Sequence, residues 1–139
     1  MKIVINRCYG GFGLSEAAVD LYLKKQGKQC FRYKQTKYEF KDGEDLYEKT
    51  TALDEELCLF HFTKDFGDSF TEWPEEKYFY AHDLPRDDKI LIETIEEIGS
   101  AISSGRFARL EIIEIPDGIE YTIEEYDGQE WVAEKHRTW

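Results

Sequence analysis

Residues 2–27 read KIVINRCYGGFGLSEAAVDLYLKKQG, and this stretch decides the fold class. Ile3, Val4 and Ile5 are β-branched and apolar, so Lys2 to Asn6 is predicted to be a short strand. Three apolar residues without alternation predict burial on both faces. Arg7 to Gly13 then carries three glycines in four positions. A helix is predicted to follow. Ser15 is a good N-cap, Glu16 suits the first turn, and Gly27 fits the residue just past the end. Ala18, Leu21 and Tyr22 share a face, with Leu14 and Val19 near its edges.

The C-terminal third has equally clear punctuation. Asp87 or Asp88 is predicted to cap a helix running to about Ser103, with Leu91, Ile95, Ile98 and Ile102 as one stripe. Gly99 would then sit inside the helix at a cost of roughly 1 kcal/mol relative to Ala. Leu110 to Ile115 reads as a strand that stops at Pro116, because proline lacks the ladder donor. Glu120–Tyr126 and Gln129–Glu134 flank Asp127-Gly128, the signal of a two-residue hairpin. Tyr121, Ile123, Trp131 and Ala133 are expected to form one alternation set. In the middle, Gln29–Lys34, Lys37–Phe40, Leu57–Phe62 and Lys77–Ala81 read as strands, and Lys64–Pro74 as a loop. The expectation is a single α+β domain spanning residues 1–139: a mixed sheet, two main helices and a C-terminal β-hairpin. No internal repeat or low-complexity linker is present.

Composition narrows the function. Of 139 residues, 41% are hydrophobic and 35% charged, and no apolar run approaches the roughly 20 residues that span a bilayer. A membrane protein is therefore not expected, and MKIVINRCYGG does not read as a secretory signal. Aromatics at 15% argue against disorder. Cys8, Cys30 and Cys58 show no C-x-x-C spacing, so free thiols in a reducing cytoplasm are expected. The net charge of −12 hides a split: Met1–Lys37 has eight basic and two acidic residues, leaving −18 on the remainder. Glu111 to Glu134 holds nine acidic residues and no basic one. Such a surface disfavours nucleic acid as a partner. A small anion at the basic third, or a basic protein at the acidic part, remains open.

Four features could carry chemistry. The first is the loop Asn6, Arg7, Cys8, Tyr9, Gly10, Gly11, Phe12 and Gly13. Strand, glycine loop and helix N-terminus together can bind phosphate through backbone N–H groups. Arg7 would add charge, and Tyr9 or Phe12 could stack on a base. The string matches neither the P-loop nor the dinucleotide fingerprint, and a tight turn over a packed Phe12 is the competing reading. The second is Cys8, a nucleophile if a base were near, otherwise a small buried hydrophobe. His61, His82 and His136 are the only histidines, and no spacing ties one to Cys8. The third is the carboxylates. Glu124 and Glu125 are adjacent in a strand and point to opposite faces, so they read as a solvated surface rather than a catalytic pair. The fourth is the tail Lys135–Trp139, whose terminal Trp is expected to dock, either simply into the domain's own core edge or so that His136 and Arg137 close a ligand pocket or a subunit interface. No metal ligand set, cofactor or catalytic residue is assigned.

The segment Ile5–Ser15 (INRCYGGFGLS), the ending Ile123–Trp139 (IEEYDGQEWVAEKHRTW) and Leu84-Pro85-Arg86-Asp87-Asp88 resemble a family of small proteins encoded by bacteriophages and prophages. The helix after Asp88 and the strand ending Glu114-Ile115-Pro116-Asp117 share the resemblance, which covers both ends and little of residues 28–81. It implies a phage accessory protein in the host bacterial cytoplasm. Small phage proteins of this polarity often counter host defence, some by sequestering nucleotide-derived signals. The leading expectation is thus a non-enzymatic protein binding a small nucleotide-like or phosphate-bearing ligand. In it Arg86, Arg106, His136 and Arg137 complete the loop's pocket, within one chain or in a homo-oligomer. The alternatives are an acidic protein-interaction module imitating nucleic acid toward a host protein, and a small enzyme using Cys8.

Overall fold

The computed structural model describes residues 1–37, 45–51, 53 and 59–135. Its elements run β1 (Lys2–Asn6), α1 (Glu16–Lys25), β2 (Phe31–Lys37), β3 (Leu46–Thr50), β4 (Leu59–Phe62), β5 (Ser69–Phe70), β6 (Tyr78–Phe79), α2 (Lys89–Ile98), α3 (Ser100–Ser103), β7 (Leu110–Glu114), β8 (Tyr121–Tyr126) and β9 (Gln129–Glu134). Single 3-10 turns occupy Glu75–Lys77 and Ala81–Asp83. The class is α+β, with two main helices and a C-terminal hairpin. The strands pooled by the sequence pattern into one mixed sheet divide among three, and every described pairing is antiparallel. Position 58, with Lys37–Phe40 beyond its first residue and the start of Leu57–Phe62, lies outside the described residues, as do His136, Arg137 and Trp139.

The first half follows its local signals. Ile3, Val4 and Ile5 are fully buried, and β1 pairs with β7 so that Val4 faces Ile112. The Ser15 hydroxyl accepts the Ala18 N–H and caps α1, and Gly27 takes φ +72° just past its end. The buried face of α1 is Ala18, Val19, Tyr22 and Leu23; Leu21, expected on it, is only half-buried at its edge. These side chains meet Val4, Phe12, Leu14, Leu91, Ile92, Ile95 and Leu110 in the main core.

Asp88, not Asp87, caps α2 by accepting the Leu91 N–H. The predicted helix to Ser103 is interrupted, because Gly99 stands at φ +89°, a non-helical conformation open to glycine. The chain restarts as the single turn α3 in a new direction. The stripe therefore fails at its last member: Leu91 and Ile95 are buried, but Ile102 is 62% exposed.

The second sheet, ordered β5-β3-β2-β4-β6, builds a separate aromatic core. Tyr33, Tyr47 and Phe62 lie buried on one face, covered by Phe66, Phe70 and Trp73. Tyr33 and Phe70 meet edge-to-face at 4.8 Å. Residues 64–74, expected as plain loop, supply this lid and also the short strand β5. The Tyr33 hydroxyl anchors it, donating to the Gly67 carbonyl at 2.8 Å and accepting the Phe66 N–H at 3.0 Å. No described helix is long and apolar enough to cross a membrane.

In the hairpin, Asp127 at φ +51° and Gly128 at φ +91° form the turn, as Asp-Gly predicts. Tyr126 opposite Gln129 fixes the parity, so odd positions of β8 share a face with even positions of β9. This corrects the expected alternation set. Tyr121 and Ile123 lie with Glu130 and Val132, whereas Trp131 and Ala133 lie with Thr122, Glu124 and Tyr126 on the other face.

Candidate functional site

The glycine loop is closed from within by the hairpin turn. Gly10 donates its N–H to the Asp127 carbonyl at 3.2 Å. A Cβ at Gly128 would stand 2.2 Å from the Gly11 nitrogen, so the turn is seated directly on the loop backbone. On the other side, a Cβ at Gly10 would meet the Phe107 Cβ and carbonyl at 2.9 Å. The Gly13 carbonyl accepts the Gly105 N–H at 3.0 Å. The glycines are needed here for close approach of chain to chain. Gly10 thus donates inward to the hairpin, and the turn sits directly against the Gly11 backbone.

Asn6 is the hub of this clasp and is fully buried. Its Nδ2 donates to the carbonyls of Cys8 at 2.7 Å and Gly128 at 2.8 Å. Its Oδ1 accepts the N–H groups of Arg109 at 2.8 Å and Cys8 at 3.2 Å. All four hydrogen-bonding positions of the amide are thereby filled. The Asn6 backbone N–H donates to Glu130 Oε1 at 2.9 Å.

Glu130, only 5% exposed, is the residue that sequence reasoning missed. Arg86 Nη2 reaches its Oε2 at 3.0 Å and Nη1 its Oε1 at 3.4 Å, a forked pair. The Arg86 guanidinium also lies 3.5 Å from the centre of the Phe12 ring. Burial pulls its ionisation below the usual arginine range, while Glu130 opposes that pull. Hairpin parity puts Glu130 on the same face as Ile123 and Val132, but Glu125 and Glu134 share that face, so the sequence does not single Glu130 out. Once buried, its carboxylate needs a partner.

The remaining candidates lie around this clasp. Arg7 pairs through Nε with Glu111 at 2.8 Å. Tyr9 is 59% and Phe107 63% exposed. Arg106 is exposed, with its guanidinium 5.0 Å from the Phe107 ring. Arg106 makes no ion pair among the described residues. The structure thus brings Asn6, Cys8, Gly10, Gly11, Phe12 and Arg86 together in the clasp and leaves Arg7, Tyr9 and Arg106 at its rim; Gly13 sits against the neighbouring Gly105 turn. His136 and Arg137 are outside the described residues. Cys8 contributes its backbone to Asn6 at both N–H and carbonyl.

A second polar cluster holds α1 to the second sheet. Glu16 Oε2 lies 2.6 Å from Arg32 Nε and 2.6 Å from His61 Nε2. Arg32 Nη1 reaches Asp20 at 2.9 Å. Burial alone would raise the Glu16 carboxyl, but His61 and Arg32 together hold it below the usual range. Nearby Cys30 is pushed up to about 11, mainly by burial, so its thiol is protonated at neutral pH. Among the described residues, no group of three His, Cys, Asp or Glu side chains is placed to hold a metal ion.

No protein-family model, curated protein or solved structure matches this chain.

Proposed function

We propose that the protein is a non-catalytic interaction module whose acidic β8–β9 hairpin docks a basic protein partner. The observation that carries this is the distribution of the nine acids between Glu111 and Glu134: all except Glu130 are exposed, with no basic residue in the stretch. Tyr126, 71% exposed, and Trp131 lie on one face of the hairpin beside Glu124. Aromatic anchors within a charged rim are the composition of a protein interface. The same field opposes phosphate, and Arg7 and Arg86 already hold carboxylates. The resemblance to phage-encoded proteins supports a setting in the bacterial cytoplasm, with a host protein that has a basic groove as the partner.

The test is capture from bacterial lysate, using wild type and the pair Glu124→Lys with Tyr126→Ala. A stoichiometric basic protein, released by salt and lost in the variant, supports docking. Capture that is indifferent to both salt and the variant overturns it.

A second reading is kept for a nucleotide-like ligand, because exposed Tyr9, Phe107 and Arg106 flank the loop and together offer ring faces and a cation. Binding of a cyclic nucleotide in native mass spectrometry, lost with Tyr9→Ala plus Arg106→Ala, supports it. Binding unchanged in that variant removes it.

A further inference from the structure

The Gly99 break leaves an apolar groove between α1 and the α2–α3 corner. Asp20, Leu21 and Lys24 line it from α1, Glu97, Ile98 and Ile102 from the other side, and Leu53 also borders it. Its volume is about 670 Å³. Ile102 and Leu53 are exposed here, so the surface is apolar at its centre and charged at its edges.

The charges are arranged by element. At the groove α1 presents Lys24 beside Asp20, whose carboxylate is held by Arg32 at 2.9 Å, and α2 presents Glu97. Lys24 makes no ion pair among the described residues. Glu97, half exposed, is reached only loosely by Lys25, at 3.6 Å. With Asp20 held by Arg32, Lys24 on one wall and Glu97 on the other remain as charges of opposite sign, and such a pair complements a copy of itself turned through a two-fold axis. That matters for a chain at net charge −12, whose copies otherwise repel. The β8–β9 hairpin, whose charged side chains are all acidic, lacks this property.

We propose that this groove is where two copies of the chain associate, with Ile102, Ile98 and Leu21 packed about the axis and Lys24 of each copy meeting Glu97 of the other. The surface contains no residue of the β8–β9 hairpin, so the dimer and the docking of a basic protein stand or fall independently.

Sedimentation and light scattering of the full chain test it. Wild type is expected to be a dimer at micromolar concentration. Ile102→Glu, at an exposed position, should leave the far-UV circular dichroism unchanged and weaken dimerisation by about tenfold or more, with the melting point becoming less dependent on concentration. Lys24→Glu and Glu97→Lys should each be monomeric alone, because each sets like charges across the axis. Mixing the two variants should restore a heterodimer, since both pairs then become attractive. A monomeric wild type at about 100 μM overturns the proposal, that being far above the Kd of a specific dimer. So does a dimer untouched by Ile102→Glu, or variants that fail to recover on mixing.

Discussion

Glu130→Gln is the substitution that most directly examines the clasp. It keeps the shape of the side chain and an acceptor for the Asn6 N–H, and removes only the charge opposite Arg86. At the observed 3.0 Å, with an effective dielectric of about 20, the gross attraction of the pair is about 5.5 kcal/mol. The guanidinium has already been desolvated on folding, so removing its partner strands a buried charge. Breaking such a pair costs about 3–5 kcal/mol. The Phe12 ring at 3.5 Å stays and returns about 1–2 kcal/mol of cation–π attraction, which favours the lower end of that range. For a chain of this length about 4 °C is lost per kcal/mol, so the melting point should fall by about 12–20 °C. Urea unfolding should show a lower midpoint at unchanged slope. Arg86→Met alone should be similarly harmful, and the double variant should cost clearly less than the sum, with a coupling of about 2 kcal/mol. A loss under about 1 kcal/mol for Glu130→Gln, or a cycle additive within about 0.5 kcal/mol, would refute a buried, mutually dependent pair.

Gly128→Ala should destabilise by more than the about 1 kcal/mol of an ordinary left-handed glycine substitution, because its methyl would strike the Gly11 nitrogen; calorimetry gives the loss. The Glu16 carboxyl is depressed in the folded protein, so the stability it contributes is present above its unfolded value of about 4.5 and is lost as pH falls through the folded value. Urea midpoints measured downward from pH 6 should therefore drop below about pH 4.5, and Glu16→Gln should flatten that part of the profile. Cys30, with its thiol pushed up to about 11, should be alkylated slowly at pH 7 and about tenfold faster per pH unit up to that point, as mass spectrometry of the labelled peptide can follow.

Local chemistry in the sequence reached a long way into this fold. A β-branched triplet, the Ser15 and Asp88 caps and the Asp-Gly turn each act within a few residues, and each stands where its own chemistry puts it. Signals that depend on direction fared less well. Gly99 reads as a tolerated helix residue until its φ is known, and the reading of Ile102 as a core residue rests on that assumption. The glycine loop was legible as a loop that needs glycine. What fills it was not, because the Asp127–Gly128 turn arrives from more than 110 residues further along the chain. Glu130 was not legible: hairpin parity places it with Ile123 and Val132 but equally with Glu125 and Glu134, and its partner Arg86 lies 44 residues away in sequence. Residues 64–74 mislead by composition, since Asp and Gly suggest exposure while Phe66, Phe70 and Trp73 roof the aromatic core.

The joining of Asn6 to Gly128 and Glu130 also sets an order of events during synthesis. At about 5–20 residues per second, roughly 6 to 25 seconds separate the emergence of the first strand from that of the acid that closes over it. Until then Ile3, Val4 and Ile5 have neither β7 nor the hairpin above them, and the loop glycines have nothing to grip. The aromatic sheet, whose strands pair within residues 31–79, is free to form first. The nascent chain therefore carries Ile3, Val4 and Ile5 without their clasp until a segment more than 120 residues further on has been made.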